Sequence, residues 1–589
     1  MNSELAAKLD QWVMTMKDDS GTTVAERVIE RARCLGIKYI FANLGSDHPA
    51  FIEAFAKLSR QSKPMPRVII CPHEMTALSA AHGYAMVTRE PQLVLVHVDV
   101  GTQNLGGSIH NAARGRVPAM IVAGLCPVTD SRGLTGSRNE FIHYIQDAPR
   151  QQEIVNQYVK WSYEVRAADM IEKILLRGIQ ISTTPPDGPV YITGAREIWD
   201  TAVAASAESE GNWQPARAAG LPAEAASEIY RSLCESRRPI IITSYMGREP
   251  RAVELLVELS ERLGIGVCEV SSQYMNFPGG HSNHLGYRRN AFVGEADLIL
   301  MIDVDVPWIP SLVSPAVGAR IFHIDIDPLK QSLGYWHFPA SGTYQANSLD
   351  ALAQLLAIED ASGLSVTGRA ARLAWINEAK NRPGRDNRLE PDAGGAITAE
   401  ELTAAVRELV TDRTIVVAEA PSSGETIPSV LQMNRPGSYF TSGGSGLGFA
   451  INAAIGAKLA DPGAEVIALV GDGSYQFGVP SSTYWVASTY RTPFLTIIYN
   501  NGGWYSPKLS ATWVHPEGEA VETDAFWVNM TAGARLGDIA AACGETASFR
   551  VRERGSLRGI LESALQEVRS GRSAVVDVVI TPMSGQVLG

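Results

Sequence analysis

The sequence predicts an α/β protein built from three doubly wound parallel sheets, and three observations support this fold class. Short apolar runs alternate with stretches of helical periodicity, which is typical of parallel sheets covered by helices on both faces. The alternation falls into three blocks separated by polar stretches. The length of 589 residues is enough for three or four domains of roughly 150 residues. We therefore expect domains at 1–200, 215–360 and 390–589.

The first block contains four apolar runs that predict buried strands, with helical segments between them. The helices are expected at 48–58 and 73–88, where apolar residues recur with helical spacing. The strands are expected at 37–45, 67–72, 92–100 and 119–125. The alternation stops near residue 195, and the Ala-rich polar stretch 202–226 is typical of a linker.

Two further blocks repeat the alternation. The strands of the second block are expected at 239–247, 266–271, 296–305 and 319–327. A polar stretch from about 359 to 397 predicts a second linker. The strands of the third block are expected at 414–420, 465–473 and 493–501.

Composition and charge exclude several classes of protein. The net charge of −12 disfavours binding to nucleic acid or to an anionic membrane. The six cysteines form no CxxC pair, which excludes a zinc ribbon and argues against a disulfide scaffold. The polar start of the sequence lacks the layout of a signal peptide, and no apolar run has the length of a membrane helix. We expect a cytoplasmic protein without nucleic-acid or membrane partners.

The third block carries the most specific pattern. Gly471-Asp472-Gly473 ends one apolar run, and Asn500-Asn501 ends the next. Because parallel strands end at the same edge of a sheet, Asp472 and Asn501 can converge there. A carboxylate, an amide oxygen and a nearby carbonyl suit Mg²⁺ that also binds phosphate oxygens and water. The glycines allow the backbone to approach those phosphates.

This pattern resembles the thiamine-diphosphate (ThDP) motif. From about residue 20 to 585 the chain resembles ThDP-dependent 2-oxo acid decarboxylases and acetolactate synthase-like enzymes. The resemblance implies a pyrimidine-binding domain, a middle domain and a diphosphate-binding domain, in that order. It implies that Asp472 and Asn501 hold Mg²⁺ through their side chains and Gly503 through its carbonyl. The other cofactor-binding residues of this domain would be Ser422, Gly471, Gly473 and Ser474.

The resemblance also implies cofactor-binding residues around two further segments. Glu74 follows the apolar run RVIICP at the start of a predicted helix, and it would hydrogen-bond the pyrimidine ring and activate the cofactor. Taken alone, such a glutamate could equally serve the helix dipole. In the glycine-rich segment 443–448, Leu447 would bend the cofactor and the Ser445 carbonyl would meet its amino group. Core packing is the alternative role for Leu447.

Several polar and aromatic residues are candidates for contact with substrate. Segments around Ser46 and His97 resemble those of benzoylformate decarboxylase, which implies that Ser46 binds the substrate carboxylate and that His97 moves protons. His281 matches an active-site histidine in position. A structural role is the alternative for both histidines. The residues Trp504, Tyr505, Lys508 and Trp513 could roof the site or form core.

The implied activity is ThDP- and Mg²⁺-dependent decarboxylation of a 2-oxo acid, or carboligation, with a small carbonyl compound as substrate. Two alternatives remain open at this point: a ThDP-dependent lyase of 2-hydroxyacyl-CoA or 2-hydroxyketones, and a flavin-dependent oxidase on the same scaffold. We see no flavin-contact pattern in the middle block, so FAD is possible but not supported. The resemblance further implies a homodimer or homotetramer with active sites between subunits.

Overall fold

The computed structural model describes residues 21–203, 214–382 and 396–581, apart from 132, 289, 291, 363–365, 367, 531 and 532. The first twenty residues, from which we predicted the absence of a signal peptide, lie outside this part of the chain. Three six-stranded sheets follow one another along the chain, and every pairing between neighbouring strands within them is parallel. The predicted fold class is confirmed.

The first sheet contains the four strands predicted for it and two that the sequence did not reveal. In spatial order its strands are Arg67–Ile70, Tyr39–Ala42, Leu93–Val96, Ala119–Leu125, Pro189–Ala195 and Trp161–Glu164. Its α-helices are Val24–Cys34, Pro49–Arg60, Glu74–Thr88, Asp99–Asn104, Gly106–Arg114, Ile142–Ile145, Ile171–Thr183 and Arg196–Asp200. Two 3₁₀ helices are Gln151–Ile154 and Ala168–Met170, and an antiparallel pair, Thr22–Thr23 with Ala202–Val203, joins the two ends of this unit.

The middle sheet has a different strand order from the other two. In space its strands are His284–Gly286, Gly266–Glu269, Pro239–Thr243, Leu298–Ile302, Arg320–Asp325 and Gly342–Gln345. Numbered along the chain, this order is 3-2-1-4-5-6. The helices are Ala223–Glu235, Met246–Arg248 (3₁₀), Pro250–Leu263, Ser348–Ser362 and Arg369–Lys380.

The linker predicted from about 359 to 397 is wrong in part, because the helix Arg369–Lys380 lies inside it. The helix packs on the middle unit through the buried guanidinium of Arg372, a residue type that in a sequence suggests an exposed position. Arg372 donates hydrogen bonds of 2.8 Å to the carbonyls of Leu263 and Leu233. The first predicted linker is likewise shorter than expected, since a helix already begins at Ala223.

The third sheet repeats the strand order of the first. Its strands are, in space, Tyr439–Phe440, Thr414–Glu419, Glu465–Gly471, Leu495–Asn500, Ala574–Val579 and Ala547–Val551. Both sheets therefore have the order 2-1-3-4-6-5 when their strands are numbered along the chain. The α-helices are Ala399–Arg407, Thr426–Leu431, Ala450–Ala460, Asp472–Phe477, Pro480–Tyr490, Tyr505–Val514, Glu519–Glu522, Leu536–Ala542 and Leu557–Arg569, with 3₁₀ helices at Pro421–Ser423 and Arg554–Ser556.

Two features excluded by composition are also not found in the structure. Among the helices that the described residues form, none is both long and apolar enough to cross a bilayer. None of the six cysteines forms a disulfide bond.

The first and third units meet where the helices Glu74–Thr88 and Ala450–Ala460 cross. Both helices are buried on almost all sides, as expected of helices that are apolar all round. A Cβ atom on Gly83 would lie 2.1 Å from the Ala453 carbonyl oxygen, and one on Gly456 would lie 1.8 Å from that of Ala80. The crossing therefore requires glycine on both helices. It fixes the position of one unit against the other within a single chain.

We expect Gly83→Ala to destabilise the protein by about 1–3 kcal/mol, because the added methyl group collides with rigid backbone. The midpoint of thermal or denaturant unfolding measures this change. Gly106→Ala is the matched control, since a Cβ atom there meets nothing within 4 Å. Equal midpoints for Gly83→Ala and the control would contradict the close crossing.

Candidate active site

The predicted metal and phosphate residues lie at the carboxyl edge of the third sheet. Asp472 follows the strand Glu465–Gly471 and is only 2% exposed. Asn501 follows the neighbouring strand Leu495–Asn500, and its amide donates a 3.2 Å hydrogen bond to the Ser422 hydroxyl. Three adjacent strands thus end in carboxylate, amide and hydroxyl groups. Such a set of oxygen ligands fits a hard divalent cation bound together with phosphate.

A tight turn fixes the backbone after Asn501. The Gly503 amide donates to the Asn501 side-chain oxygen at 3.3 Å, and a Cβ atom on Gly503 would lie 2.1 Å from the Val528 carbonyl oxygen. The next residue, Trp504, lies against Gly473, where a Cβ atom would be 2.6 Å from the indole ring. One of the expected roof residues therefore contacts the Gly-Asp-Gly turn directly.

The glycine-rich segment 443–448 is held by a helix of the first unit. Asn111 makes two 2.8 Å hydrogen bonds with the backbone of Gly446, accepting from its amide and donating to its carbonyl. His110 donates to the Gly444 carbonyl at 2.8 Å. Ser445 adopts a left-handed conformation with φ of 59°. Leu447 is half-buried and lies outside the buried cores, which suits a side chain that faces a cleft.

A buried carboxyl group supports this segment from the other side. Glu419 ends the strand Thr414–Glu419 and accepts hydrogen bonds from the amides of Gly448 at 2.6 Å and Ala450 at 2.7 Å. Burial raises the pKa of Glu419 to about 8, although these amides and the Ser474 hydroxyl act to lower it. Glu419 and Asp472 flank the point where the strand order reverses, which is where open α/β sheets bind ligands.

Glu74 begins its helix on the facing side of the first unit. His73 caps the helix by accepting a hydrogen bond from the Met75 amide at 3.1 Å. The buried Glu74 carboxylate accepts a 2.9 Å hydrogen bond from Asn104 and lies against Gly101, which leaves it room. A Cβ atom on Gly448 would lie 2.8 Å from the sulfur of Met75. The residue next to Glu74 therefore contacts the glycine-rich segment.

Ser46 and His97 flank the equivalent reversal point of the first sheet, at the ends of Tyr39–Ala42 and Leu93–Val96. The Ser46 hydroxyl is buried and has no hydrogen-bond partner among the described residues. His97 bonds the Asp47 carboxylate through Nδ1 and Gln146 through Nε2, the latter at 2.9 Å. Burial lowers the pKa of His97, but Asp47, Gln146 and Glu74 together raise it above its ordinary value.

Comparison with known proteins agrees with this architecture. Three family models match in order along the chain: thiamine pyrophosphate enzyme, N-terminal TPP binding domain, at residues 22–154; its central domain at 226–352; and its C-terminal TPP binding domain at 423–578. The chain belongs to the thiamine pyrophosphate enzyme family. Thiamine pyrophosphate is the same compound as ThDP, so the predicted family, enzyme class and organic cofactor are confirmed.

Characterised members of this family resemble the chain over most of its length. Benzoylformate decarboxylase of Pseudomonas aeruginosa is 29% identical over 492 residues, covering 82% of this chain and 86% of the relative. The acetolactate synthase large subunit of Haemophilus influenzae is 26% identical, covering 82% and 83%. A ThDP-dependent 4-hydroxybenzoylformate decarboxylase of Rhodococcus jostii has a TM-score of 0.77 at 24% identity, covering 96% of this chain and 100% of the other, which shows the shared fold.

The predicted site residues are distributed unevenly in the structure. Glu74, the segment with Ser445 and Leu447, and the strand-end residues of the third sheet are joined by a continuous series of contacts. His281 is placed elsewhere. Its Nε2 atom pairs with Glu261 at 3.1 Å and its Nδ1 atom accepts from the Asn283 amide, both within the middle unit. A role for His281 in the active site stays a prediction.

Residues that support the site escaped the sequence analysis. Glu419 could have been found, because it ends an apolar strand at the same edge as Asp472. Asp47 lies next to a predicted residue, yet its orientation toward His97 depends on the fold. Asn111 and Gln146 gave no signal, since their partners lie far away or across a loop in the sequence.

Charged side chains of the middle unit and of the first unit meet at the reversal point of the middle sheet. Tyr245 donates to Asp325 at 2.6 Å, and Lys330 donates to the same carboxylate at 2.8 Å. Arg116 of the first unit pairs with Asp305 at 2.7 Å and stacks on the Tyr245 ring. These buried groups occupy the crevice where a sheet of this strand order would bind a dinucleotide.

The raised pKa of Glu419 predicts a pH-dependent effect of Glu419→Gln. The folded state binds this proton more tightly than the unfolded state, so the stabilisation is complete below about pH 4 and is lost as the pH rises through about 8. The neutral variant should therefore gain stability relative to the parent protein between pH 5 and pH 8.5. Unfolding midpoints across that range measure the difference.

Glu408→Gln is the matched control, because Glu408 is exposed and pairs only with Arg558 among the contacts described. The gain in stability with rising pH should be larger for Glu419→Gln than for Glu408→Gln. A flat difference for Glu419→Gln would contradict the raised pKa.

Proposed function

We propose that this protein is a ThDP- and Mg²⁺-dependent decarboxylase of 2-oxo acids. The observation that carries the proposal is the series of contacts that links Glu74, through Asn104 and the helix Gly106–Arg114, to the glycine-rich segment and so to Glu419. The Ser474 hydroxyl and the Gly-Asp-Gly turn complete this series. A carboxylate suited to a pyrimidine ring and oxygen ligands suited to a metal diphosphate are thus joined by one series of contacts.

The donor set fits the cofactor and its metal. Asp472, Asn501 and the Gly503 carbonyl would hold Mg²⁺, and Ser422 and Ser474 would bind the diphosphate. Gly471 and Gly473 leave room for phosphate next to the backbone. Bound ThDP supplies the electron sink that makes cleavage of a C–C bond beside a carbonyl possible.

The remaining residues would act on the cofactor ring and on substrate. Glu74 would hydrogen-bond the pyrimidine, and the Ser445 carbonyl and Leu447 would set the bend of the cofactor. The unpartnered Ser46 hydroxyl is suited to a substrate carboxylate, because a buried hydroxyl without a partner is costly unless a ligand satisfies it. His97 contacts Gly45 and Asp47, the residues on either side of Ser46, and would transfer a proton.

The substrate class follows from the named relatives and the polar pair. By its name, benzoylformate decarboxylase acts on a 2-oxo acid, and acetolactate synthase forms a 2-hydroxy acid that also carries a keto group. A hydroxyl next to a protonated imidazole is complementary to a carboxylate beside a carbonyl. The flavin-dependent alternative ranks below decarboxylation, because buried ion pairs lie at the reversal point of the middle sheet.

We also propose a cytoplasmic homodimer or homotetramer. Large apolar side chains are exposed between residues 128 and 145, namely Val128, Leu134, Phe141, Tyr144 and Ile145. Such a concentration of exposed apolar residues favours coverage by a second copy. The cleft forms within one chain here, so the sharing of active sites between subunits stays a prediction. The cysteines without disulfide bonds suit a reducing compartment.

The direct test is CO₂ release from the purified protein with ThDP and Mg²⁺, across pyruvate, branched-chain and aromatic 2-oxo acids. Release from one class would support decarboxylation and size the pocket. Silence across the panel while ThDP remains bound would refute the proposal and favour the lyase of hydroxyketones or hydroxyacyl-CoA.

Replacing Glu74 with Gln should lower turnover by about 100-fold or more while ThDP stays bound, since the acid–base partner of the ring is lost. Steady-state kinetics and cofactor content after gel filtration measure the two effects. Glu53→Gln, an exposed change in the preceding helix, should leave both unchanged. Normal turnover of Glu74→Gln would remove Glu74 from the mechanism.

Replacing Asp472 with Ala should weaken retention of Mg²⁺ and ThDP, because the cation loses a carboxylate ligand. Titration of the apoprotein with ThDP at fixed Mg²⁺ measures the change. Asp461→Ala, at an exposed turn of the same unit, is the control. Equal cofactor affinity in the two variants would place the metal elsewhere.

A further inference from the structure

Asp47 is a buried carboxylate next to the candidate active site to which the preceding mechanism assigns no role. It is 1% exposed and bonds Nδ1 of His97 through one oxygen. The His97 side chain is 13% exposed, so the imidazole lies between Asp47 and the cleft. The pair crosses from the end of one strand to the end of its neighbour, at the reversal point of the first sheet.

The backbone is built to admit this pair. A Cβ atom on Gly124 would lie 1.6 Å from the second carboxylate oxygen of Asp47. A Cβ atom on Gly45 would lie 2.0 Å from Nδ1 of His97. Two glycines on different elements thus leave the space that the carboxylate and the imidazole fill, so their contact is not a chance approach of mobile side chains.

Both nitrogens of His97 face hydrogen-bond acceptors. Nδ1 meets a carboxylate, and Nε2 lies 2.9 Å from the side-chain oxygen of Gln146. With the Gln146 amide oxygen directed at Nε2, as in this structure, both partners only accept, and each ring nitrogen then carries a proton. This arrangement selects the imidazolium form and leaves one N–H directed away from Asp47.

A metal-binding site explains the arrangement of these residues less well than a hydrogen-bonded ion pair does. Ligand atoms of Asp47, His48 and His97 do lie within 4.8 Å of one another. However, Nδ1 of His48 already lies 3.0 Å from the Gly45 amide nitrogen and 3.1 Å from an Asp47 carboxylate oxygen, so groups of the protein already contact it. The acceptor on each side of His97 also requires protons where a metal would need a bare nitrogen.

We propose that Asp47 is a positioning residue that keeps His97 protonated on both nitrogens, so that the proton on Nε2 is ready for the product. Gln146 accepts a hydrogen bond from Nε2 until substrate displaces the Gln146 side chain. This inference rests on the proposed decarboxylase function. In that reaction Nε2 of His97 would supply the proton, and Asp47 would act through His97 without contacting substrate.

The step balances as a 2-oxo acid anion plus one proton giving an aldehyde and CO₂. The bond between the carbonyl carbon and the carboxylate breaks, and CO₂ leaves without the electron pair. The carbonyl carbon then takes the proton from Nε2, and His97 regains a proton from water. Asp47 stays ionised throughout, because Nδ1 keeps its own proton and still donates it in a hydrogen bond to the carboxylate after Nε2 has lost its proton.

The charged groups around His97 favour an ionised Asp47 beside a protonated His97. Burial opposes ionisation of Asp47, yet His48 and His97 hold its pKa well below the usual range. For His97, burial lowers the pKa, and Asp47, Gln146 and the charge of Glu74 together raise it. The cations beyond Gln146 are engaged elsewhere: Arg138 pairs with Asp147, and Arg196 bonds His143 and Asn139.

The protonation of His97 can be measured without a substrate. Diethyl pyrocarbonate acylates only an unprotonated imidazole nitrogen, so site-resolved mass spectrometry of the full protein against pH gives a midpoint for His97. We expect this midpoint above the ordinary histidine value of about 6.5. In Asp47→Asn it should fall by about one pH unit or more. The same peptide map reports His281 as an internal reference.

Asp147→Asn is the matched control, because Asp147 is an exposed carboxylate next to Gln146 that pairs with Arg138 rather than with His97. Its His97 midpoint should equal that of the parent protein. A parent midpoint at or below about 6.5 would overturn the proposal without any variant. An unchanged midpoint in Asp47→Asn would overturn it as well.

The pH dependence of turnover is the second test of the proposal. In Asp47→Asn the alkaline limit of kcat should move to lower pH by the same shift as the midpoint, about tenfold in kcat for each unit on that limb, with little change in KM. Asp47→Asn with an unshifted profile would show a structural role only. If no 2-oxo acid releases CO₂, the proposed function fails, while the acylation midpoint still decides whether Asp47 keeps His97 protonated.

Discussion

The close crossing of two buried helices is the constraint on which the candidate active site depends. Glu74 begins one of these helices, and the glycine-rich segment leads into the other. Gly83 and Gly456 let the backbones approach to distances that no side chain would allow. The shared interface therefore sets the width of the cleft before any cofactor residue contributes. Asn111 and Glu419 then fix the glycine-rich segment from its two sides.

Buried carboxylates are stabilised in this protein by different means, and the means differ with their roles. Asp325 lies among Lys330, Tyr245 and Arg116, where full pairing compensates the loss of hydration. Glu419 has backbone amides but no cation among the contacts described, and its pKa rises accordingly. Asp47 lies against the imidazoles of His48 and His97, and it acts to raise the pKa of His97. The first arrangement suits a fixed contact between units. The second suits a group beside the proposed diphosphate site, and the third suits a carboxylate that acts on a neighbouring imidazole.

Local pattern made much of the fold and part of the site predictable. Apolar runs marked strands because parallel sheets are covered on both faces, and Asp472 and Asn501 were found because each follows such a run. The helix with Arg372 was predicted as linker, because its buried guanidinium takes a place in the packing that apolar residues usually fill. The contact between Asn111 and Gly446 was not predictable, because 335 residues separate them in the sequence. His281 lies within the middle unit in this chain, and its predicted role stays untested.

The first and third sheets share the strand order 2-1-3-4-6-5, and the middle sheet does not. In each of the two, the crossing helix follows the second strand, and the candidate residues lie where the order reverses. This is the relation expected of a duplicated module whose copies associate about a pseudo-twofold axis. The two units differ in chemistry: one has an acid at the start of its crossing helix, and the other has a glycine-rich turn and the predicted metal ligands. Two units with one strand order therefore contribute different groups to the candidate site.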